Sequence, residues 1–193
     1  MPDLIVFYDA DDWLMRTTGP QRSGVDLSVG IKDGLRGLRR VLDAFVAKKI
    51  AFQRAIFHCH GNEGLIVFGD EKGNRVLDAQ ELRTNFTGRG YERIFPNTSR
   101  IYFNGCKVSG GEHGWQFLET AGSIFLRSLG GEAFAHTANG YPLVPHAVML
   151  LGGVTGLLIG GSMLGHMPHF SGESRSVLIG PGGRALRRVT KAD

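Results

Sequence analysis

The sequence predicts an α/β domain built around a mainly parallel sheet. Apolar runs of three to five residues, bounded by glycine and polar residues, occur at 4–8, 55–57 and 101–103, which is typical of buried strands of a parallel sheet. Between the first two runs, residues 34–49 carry leucines and a phenylalanine at helical spacing. A strand, a helix and a second strand in this order form a βαβ unit, whose crossover is expected to be right-handed.

The segments between these runs are predicted from local patterns. Residues 16–30 are polar and rich in glycine, so they are expected to form a loop. The runs at 65–68 and 75–77 are joined by a polar stretch and predict a small β-hairpin. The chain then divides into three parts, namely an α/β domain, a glycine-rich apolar segment and a basic C-terminal tail, at 1–145, 146–168 and 169–193.

Two further helices and two further strands complete the prediction. Asp78 is placed to cap a helix, with Glu81 as the capping-box partner three residues on. Another helix follows from Gly114, because apolar residues recur there on one face. Short apolar stretches at 133–137 and 177–179 predict a fourth strand and a last one.

The composition is that of a globular protein and narrows the function classes. Of 193 residues, 42% are hydrophobic and 21% are charged, which suffices for a core. The net charge of +4 is mild and the basic residues are scattered, so nucleic-acid binding is not expected. The two cysteines form no disulfide framework. The N-terminus lacks a basic stretch followed by an apolar one, so we expect a cytoplasmic protein, with membrane association and export by another route left open.

Two dipeptides at the ends of neighbouring apolar runs carry the candidate chemistry. His60-Gly61 follows the run at 55–57, and Gly105-Cys106 follows the run at 101–103. The carboxyl ends of parallel strands lie on one edge of a sheet, where such sheets hold their sites, so a base and a thiol would meet there. A cysteine nucleophile needs a base or cation nearby to become a thiolate, and glycine leaves backbone N–H groups able to face an oxyanion.

The order of these motifs resembles that of the caspase-like cysteine peptidases, the clan that holds caspases, metacaspases, gingipains, separases, legumains and CHAT proteases. In that clan the catalytic His ends one strand and precedes Gly, and the Cys ends the next strand. The local sequence motifs are most similar to those of the bacterial gingipain/CHAT-like branch. The motif His-Gly-x-x-Gly at 60–64 precedes an apolar hairpin, and Gly105-Cys106 leads through a glycine-rich loop into a helix. The resemblance covers roughly residues 4–140, without the Gln-Ala-Cys-x-Gly signature of animal caspases.

This resemblance implies a fold, a reaction and a set of site residues. The fold would be a caspase-like three-layer sandwich, with the sheet flanked by helices and a small β-hairpin after the His strand. The protein would be a cysteine endopeptidase acting on a protein or peptide, with no cofactor or metal needed for its chemistry. Cys106 would attack the scissile carbonyl, and His60 would act as acid and base. The N–H groups of Gly61 and Cys106 would hold the oxyanion.

Specificity and metal binding have alternatives that the sequence leaves open. In the clan, residues after the first strand help to line the pocket for the side chain before the scissile bond. Asp9, Asp11 and Asp12 follow the first strand of this chain. If they line that pocket, their acidic side chains would favour substrates with Arg or Lys before the scissile bond. A turn that is exposed to solvent, or that caps a helix, explains these aspartates equally well. A weaker alternative is a zinc site made by His58, His60, Cys106 and His113, since His and Cys are zinc ligands.

The segment from Ala147 to Met167 (147–167) is almost wholly apolar and predicts a second kind of function. As a helix it would be about as long as a bilayer core is thick. Gly152, Gly156 and Gly160 recur every four residues, a spacing that lets helices approach closely in lipid. The segment is therefore expected either to contact a membrane or a second copy of the chain, or to be buried against the sheet. The rival to a peptidase is thus a non-catalytic or membrane-acting toxin or effector on a caspase-like scaffold.

Overall fold

The computed structural model describes residues 2–19, 24–69, 75–138 and 173–192. Strands and helices alternate along most of the chain. Their bounds, in chain order, are β1 (Leu4–Asp9), α1 (Trp13–Thr18), β2 (Leu27–Ile31), α2 (Gly34–Lys48), β3 (Arg54–His58), β4 (His60–Asn62), β5 (Leu65–Val67), β6 (Val76–Asp78), α3 (Ala79–Glu81), β7 (Ser99–Asn104), α4 (Gly111–Phe125), β8 (Gly131–His136), β9 (Glu173–Ile179) and β10 (Ala185–Ala192).

The main sheet has seven strands in the order β10-β9-β8-β7-β3-β1-β2. Four of its six pairings are parallel, and only β9 and β10 run antiparallel to their neighbours. A separate antiparallel sheet of β4, β5 and β6 follows β3 directly. The α/β class and the mainly parallel sheet are therefore confirmed, and helices flank the sheet in a way compatible with a three-layer sandwich.

One face of the main sheet carries the larger core. Phe7, Phe57 and Phe103 lie on three neighbouring strands, and their rings stack with centroids 5.0 and 5.1 Å apart. The helices α2 and α4 cover this face because each presents an apolar stripe to it. The buried residues of these stripes are Leu35, Leu38, Leu42 and Phe45 in α2, and Phe117, Leu118, Ala121, Ile124 and Phe125 in α4. The opposite face has a smaller buried cluster of Val6, Ile56 and Tyr102, because side chains alternate along each strand.

Residues 16–30 are not simply a loop, so that prediction was wrong. The helix α1 runs to Thr18, and β2 adds a strand at the edge of the sheet beside β1. The Asp12 side chain starts α1 by accepting a hydrogen bond from the Met15 N–H at 2.9 Å. The strand β2 escaped prediction because an edge strand is only partly buried and needs no continuous apolar run.

The helix predicted after Asp78 is only partly regular. The Asp78 cap is present, with Oδ1 accepting from the Glu81 N–H at 2.8 Å. After one turn of α3 the chain continues as a π-helical turn over Leu82–Phe86. The hairpin prediction is confirmed and gains a third strand, β4.

The C-terminal part of the chain contains a strand that was not predicted. The sequence predicts a basic tail at 169–193, whereas β10 pairs with β9 along its whole length. The segment 147–167 lies outside the described residues, so its predicted role stays a prediction. Among the helices that the structure describes, none is long and apolar enough to cross a membrane.

Candidate active site

The candidate site lies where β3 and β7 end side by side. His58 is paired with Asn104 in the last register position of these parallel strands. The Cys59 N–H then donates to the Asn104 carbonyl at 3.4 Å, which holds the two chains together one residue further. His60 and Cys106 follow immediately, so both lie at the carboxyl edge of the sheet, as predicted.

Two glycines let the histidine and cysteine segments touch through their backbones. A methyl group on Gly61 would stand 3.0 Å from the carbonyl oxygen of Cys106 and 3.1 Å from the Cα of Gly105. It would also lie 2.6 Å from the Cγ2 of Val108, which is closer than real carbon atoms approach. The absence of a side chain at Gly61 is therefore what lets His60-Gly61 pack against Gly105-Cys106.

Asp12 is the aspartate that reaches the histidine. Its Oδ2 lies 3.2 Å from the Nε2 of His60, while its Oδ1 caps α1. The carboxylate accepts, so Nε2 carries the hydrogen and Nδ1 is the ring nitrogen that can take up a proton. Burial alone would raise the pKa of Asp12, but the hydrogen bonds from the Met15 N–H and His60 outweigh it and lower that pKa. Asp12 is thus a fixed carboxylate, ionised at neutral pH.

The other two aspartates hold loops rather than the histidine. Asp9 is buried, and its two oxygens accept from the N–H groups of Asp11 at 3.0 Å and of Gly69 at 2.8 Å. Burial raises the pKa of Asp9 in spite of these bonds. Asp11 is exposed, and its Oδ2 accepts from the Asp33 N–H at 3.0 Å. Of the three, Asp11 keeps the most contact with solvent.

Cys106 opens a tight turn at the end of β7. Its side chain is half-buried, and the next residue, Lys107, adopts a left-handed backbone with φ of 53°. The turn is tied to the end of β8, since Lys107 N–H donates to the Ala138 carbonyl at 2.9 Å and Ser109 N–H donates to the His136 carbonyl at 3.1 Å. A cysteine in such an anchored turn is held at a defined position at the sheet edge.

Arg175 is a contact of this turn that sequence reasoning missed. From β9 its Nη1 donates to the carbonyl oxygens of Ser109 and Gly111, both at 3.0 Å. Its guanidinium also lies over the ring of Trp115, 5.1 Å from the centroid. The arginine thereby joins β9 to the segment that leads from Cys106 into α4. No local pattern could reveal this, because Arg175 is separated from Ser109 by 66 residues.

The second cysteine is buried, whereas Cys106 is only half-buried. Cys59 is 1% exposed and packs in the main core. Burial raises the pKa of its thiol well above the usual value, with the charge of Asp9 acting in the same direction. Cys59 is therefore a core residue, as expected.

His58 and His60 do not share a site. His58 is buried, with Nε2 2.7 Å from the Thr18 hydroxyl and Nδ1 2.8 Å from the Asn104 amide nitrogen. His60 instead contacts Asp12. Within the described ranges no three His, Cys, Asp or Glu side chains are grouped closely enough to hold a metal ion, so the zinc alternative gains no support.

No protein-family model, curated protein or solved structure matched the chain.

Proposed function

We propose that this protein is a cysteine endopeptidase of the caspase-like clan, in which Cys106 is the nucleophile and His60 the acid and base. The observation that supports this most strongly is the backbone contact between His60-Gly61 and Gly105-Cys106 at the carboxyl edge of the sheet. The small sheet that follows the His strand and the β7-turn-α4 segment around Cys106 agree with the clan's order of elements. A thiol and an imidazole held this way suit acyl transfer.

The reaction follows in two balanced halves. His60 accepts the thiol proton of Cys106, and the thiolate attacks the scissile carbonyl carbon to form a C–S bond. The tetrahedral intermediate collapses as His60 gives the proton to the leaving nitrogen and the C–N bond breaks. Water then attacks the thioester while His60 takes its proton, and the C–S bond breaks to release the acid and restore the thiol.

Asp12 is proposed as the residue that orients His60. Its hydrogen bond to Nε2 fixes the tautomer in which Nδ1 exchanges the proton. Its negative charge stabilises the imidazolium that forms in each half-reaction. This role differs from the pocket-lining role expected from the sequence, and it rests on a contact that links α1 to β4.

The oxyanion would be held by the N–H groups of Gly61 and Cys106. Both residues belong to the segments that touch at the sheet edge, which supports this part of the proposal. Removing one such donor typically costs about 2.7–4 kcal/mol of transition-state stabilisation. In this proposal the close backbone packing at Gly61 serves catalysis as well as the fold.

Cleavage after Arg or Lys stays part of the proposal, and Asp11 is the best-placed aspartate for it. Asp9 is buried with both oxygens bonded, and Asp12 contacts His60. Asp11 is the exposed carboxylate on the same loop. The alternative function, through 147–167, lies outside the described residues and gains no support from them.

The proposal is tested with fluorogenic peptides and a peptide library on the full-length chain. Cys106→Ala should abolish cleavage without lowering the melting temperature by more than a few degrees, because the side chain is small and only half-buried. Cys59→Ala is the matched control and should retain cleavage. Activity that survives Cys106→Ala would refute the peptidase proposal. A library profile without Arg or Lys before the scissile bond would refute the proposed specificity alone.

A further inference from the structure

A cavity of about 380 Å³ lies at the opposite edge of the molecule from Cys106. It sits beside the end of α4, the turn after β9 and the loop before β7, and its lining residues are Thr87, Gly88, Arg89, Gly90, Glu92, Arg93, Ser123, Ile124, Arg127 and Gly182. The strand β7 separates the two edges and spans roughly 20 Å. The cavity has the size of a small-molecule site, so it can be considered independently of the proposed peptidase site.

The lining of this cavity is strongly cationic. Three arginines face one carboxylate, Glu92, which leaves two positive charges in excess. Arg89 is held by Asp43, with Nη1 3.3 Å from Oδ2. Arg93 and Arg127 are exposed, and the described part of the chain offers neither of them an ion pair. Their guanidinium groups are therefore available to an anion.

The C-terminal end of α4 carries a partial negative charge, which disfavours an anion in the cavity. This partial charge is smaller than the positive charge of the arginines. A helix C-terminus carries about half a negative charge, which falls off within its last turn. Ser123 and Ile124 bring that end to the cavity wall. Because Asp43 pairs with Arg89, Arg93 and Arg127 against Glu92 leave one full positive charge in excess. This still exceeds the half charge of the helix end, so the net field favours an anionic ligand.

Glycines, which expose their backbone, form part of the rest of the cavity wall. Gly88 and Gly182 adopt left-handed conformations with φ of 75° and 81°, and a methyl group on either would meet nothing within 4 Å. The Gly182 N–H donates to the Arg127 carbonyl at 2.8 Å, which fixes the loop after β9 against the end of α4. The cavity is thus open at the glycines and held in shape by a backbone hydrogen bond.

We propose that this cavity binds a small phosphorylated polyol or sugar. A guanidinium group matches two phosphate oxygens at once, and Arg93 and Arg127 supply two such groups. The hydroxyl groups of Thr87 and Ser123 donate to the Leu82 and Thr120 carbonyls, which leaves their oxygens to accept from ligand hydroxyls. No aromatic residue is among the lining side chains, so a stacked base gains nothing.

The test is isothermal titration calorimetry of the full-length chain with fructose 1,6-bisphosphate as the probe. Fructose should not bind, inorganic phosphate should bind more weakly, and ADP should bind no better than the bisphosphate. Raising the salt from low to physiological concentration and beyond should weaken binding, because exposed charges are screened. Arg93→Gln and Arg127→Gln should each weaken bisphosphate binding by about tenfold or more.

Arg36→Gln is the matched control, since it removes an exposed arginine from α2, which does not line the cavity. It should leave the affinity within about twofold. Arg127→Lys keeps the charge but loses the planar fork, so it should give an intermediate affinity. Failure of the bisphosphate to bind, equal losses in Arg36→Gln and the cavity variants, or tighter binding of ADP would each overturn the proposal. Melting temperatures of the variants verify that the fold is kept.

Discussion

Asp12 shows how one side chain can connect three parts of a fold. Its Oδ1 caps α1, its Oδ2 bonds His60 at the beginning of β4, and its backbone lies three residues after the end of β1. Because both oxygens are occupied, the carboxylate has little freedom to turn away. An N-cap contact that contributes about 1 kcal/mol to the helix therefore also fixes the direction of a candidate catalytic ring.

Asp12→Asn should separate these two roles. Asparagine is as good an N-cap as aspartate, so α1 and the melting temperature should be nearly unchanged. The charge that stabilises the His60 imidazolium is lost, and we expect kcat/KM to fall by at least about tenfold with a changed pH profile. Asp33→Asn is the control, because it neutralises an exposed aspartate that does not contact His60. It should leave kcat/KM and its pH profile unchanged. An unaltered pH profile in Asp12→Asn would show that Asp12 only caps the helix.

The two cysteines should differ sharply in their reaction with iodoacetamide. Cys106 is half-buried at the sheet edge, whereas Cys59 is 1% exposed and burial raises its pKa. Because the thiolate is the reactive form, native protein at pH 7.5 should gain a single adduct, at Cys106. Mass spectrometry of a tryptic digest locates it, and two adducts should appear only after unfolding in guanidinium chloride. Early labelling of Cys59 would mean that the core opens more readily than its packing indicates.

At the scale of elements, the site depends on how closely β4 approaches the turn after β7. Gly61→Ala would place a methyl group 2.6 Å from Val108 Cγ2, so His60-Gly61 and Cys106 must move apart. We expect activity to fall by more than tenfold, since a displacement of about 1 Å can cost a hundredfold.

A second substitution tests that explanation. Val108→Ala removes the Cγ2 atom, so the Gly61→Ala/Val108→Ala double variant should regain part of the lost activity. Val108→Ala alone is the control and should cost stability, because a buried side chain loses contacts, with little loss of activity. A double variant no better than Gly61→Ala would show that the contact with the Cys106 carbonyl, rather than Val108, decides the effect.

The elements that the sequence predicted are those with a strong periodic pattern. The helix α2 was expected at 34–49 and is found at Gly34–Lys48, because its leucine stripe faces the sheet. The strands β2 and β10 lie at the two edges of the sheet. An edge strand pairs with a neighbour on one side only and is partly exposed, so its residues need not be apolar. Edge strands therefore leave a weak pattern, and both were missed.

At the scale of the whole molecule, the candidate site was predictable as a place but not as a set of contacts. Strand-end glycines indicated that His60 and Cys106 share an edge. The contact of Asp12 with His60 depends on where α1 begins, and that of Arg175 with the Cys106 turn depends on the position of β9. Contacts of this kind arise from tertiary packing between distant segments, and a single sequence does not encode them locally.

The same packing makes the stability of the whole molecule depend on alkaline pH through Tyr91. Its ring is fully buried, and its hydroxyl donates to Asp43 Oδ1 at 2.9 Å. Burial first, and then this hydrogen bond and the charge of Asp43, raise the pKa of Tyr91 far above its usual range. The folded chain therefore keeps the phenol protonated at a pH where the unfolded chain, with a pKa of about 10, releases the proton.

A group whose folded-state pKa is raised contributes stability that is fully present below its unfolded pKa and lost as the pH rises above it. The free energy of unfolding should therefore decrease between about pH 10 and 11.5. Tyr91 should account for a decrease that approaches about 1.4 kcal/mol per pH unit. Urea titrations of Tyr91→Phe should show a lower stability at pH 8, because the bond to Asp43 is lost, but a shallower decline above pH 10. Tyr8→Phe is the control and should keep the steep decline. Parallel curves for the wild type and Tyr91→Phe above pH 10 would show that the phenol of Tyr91 ionises as readily in the folded chain as in the unfolded one.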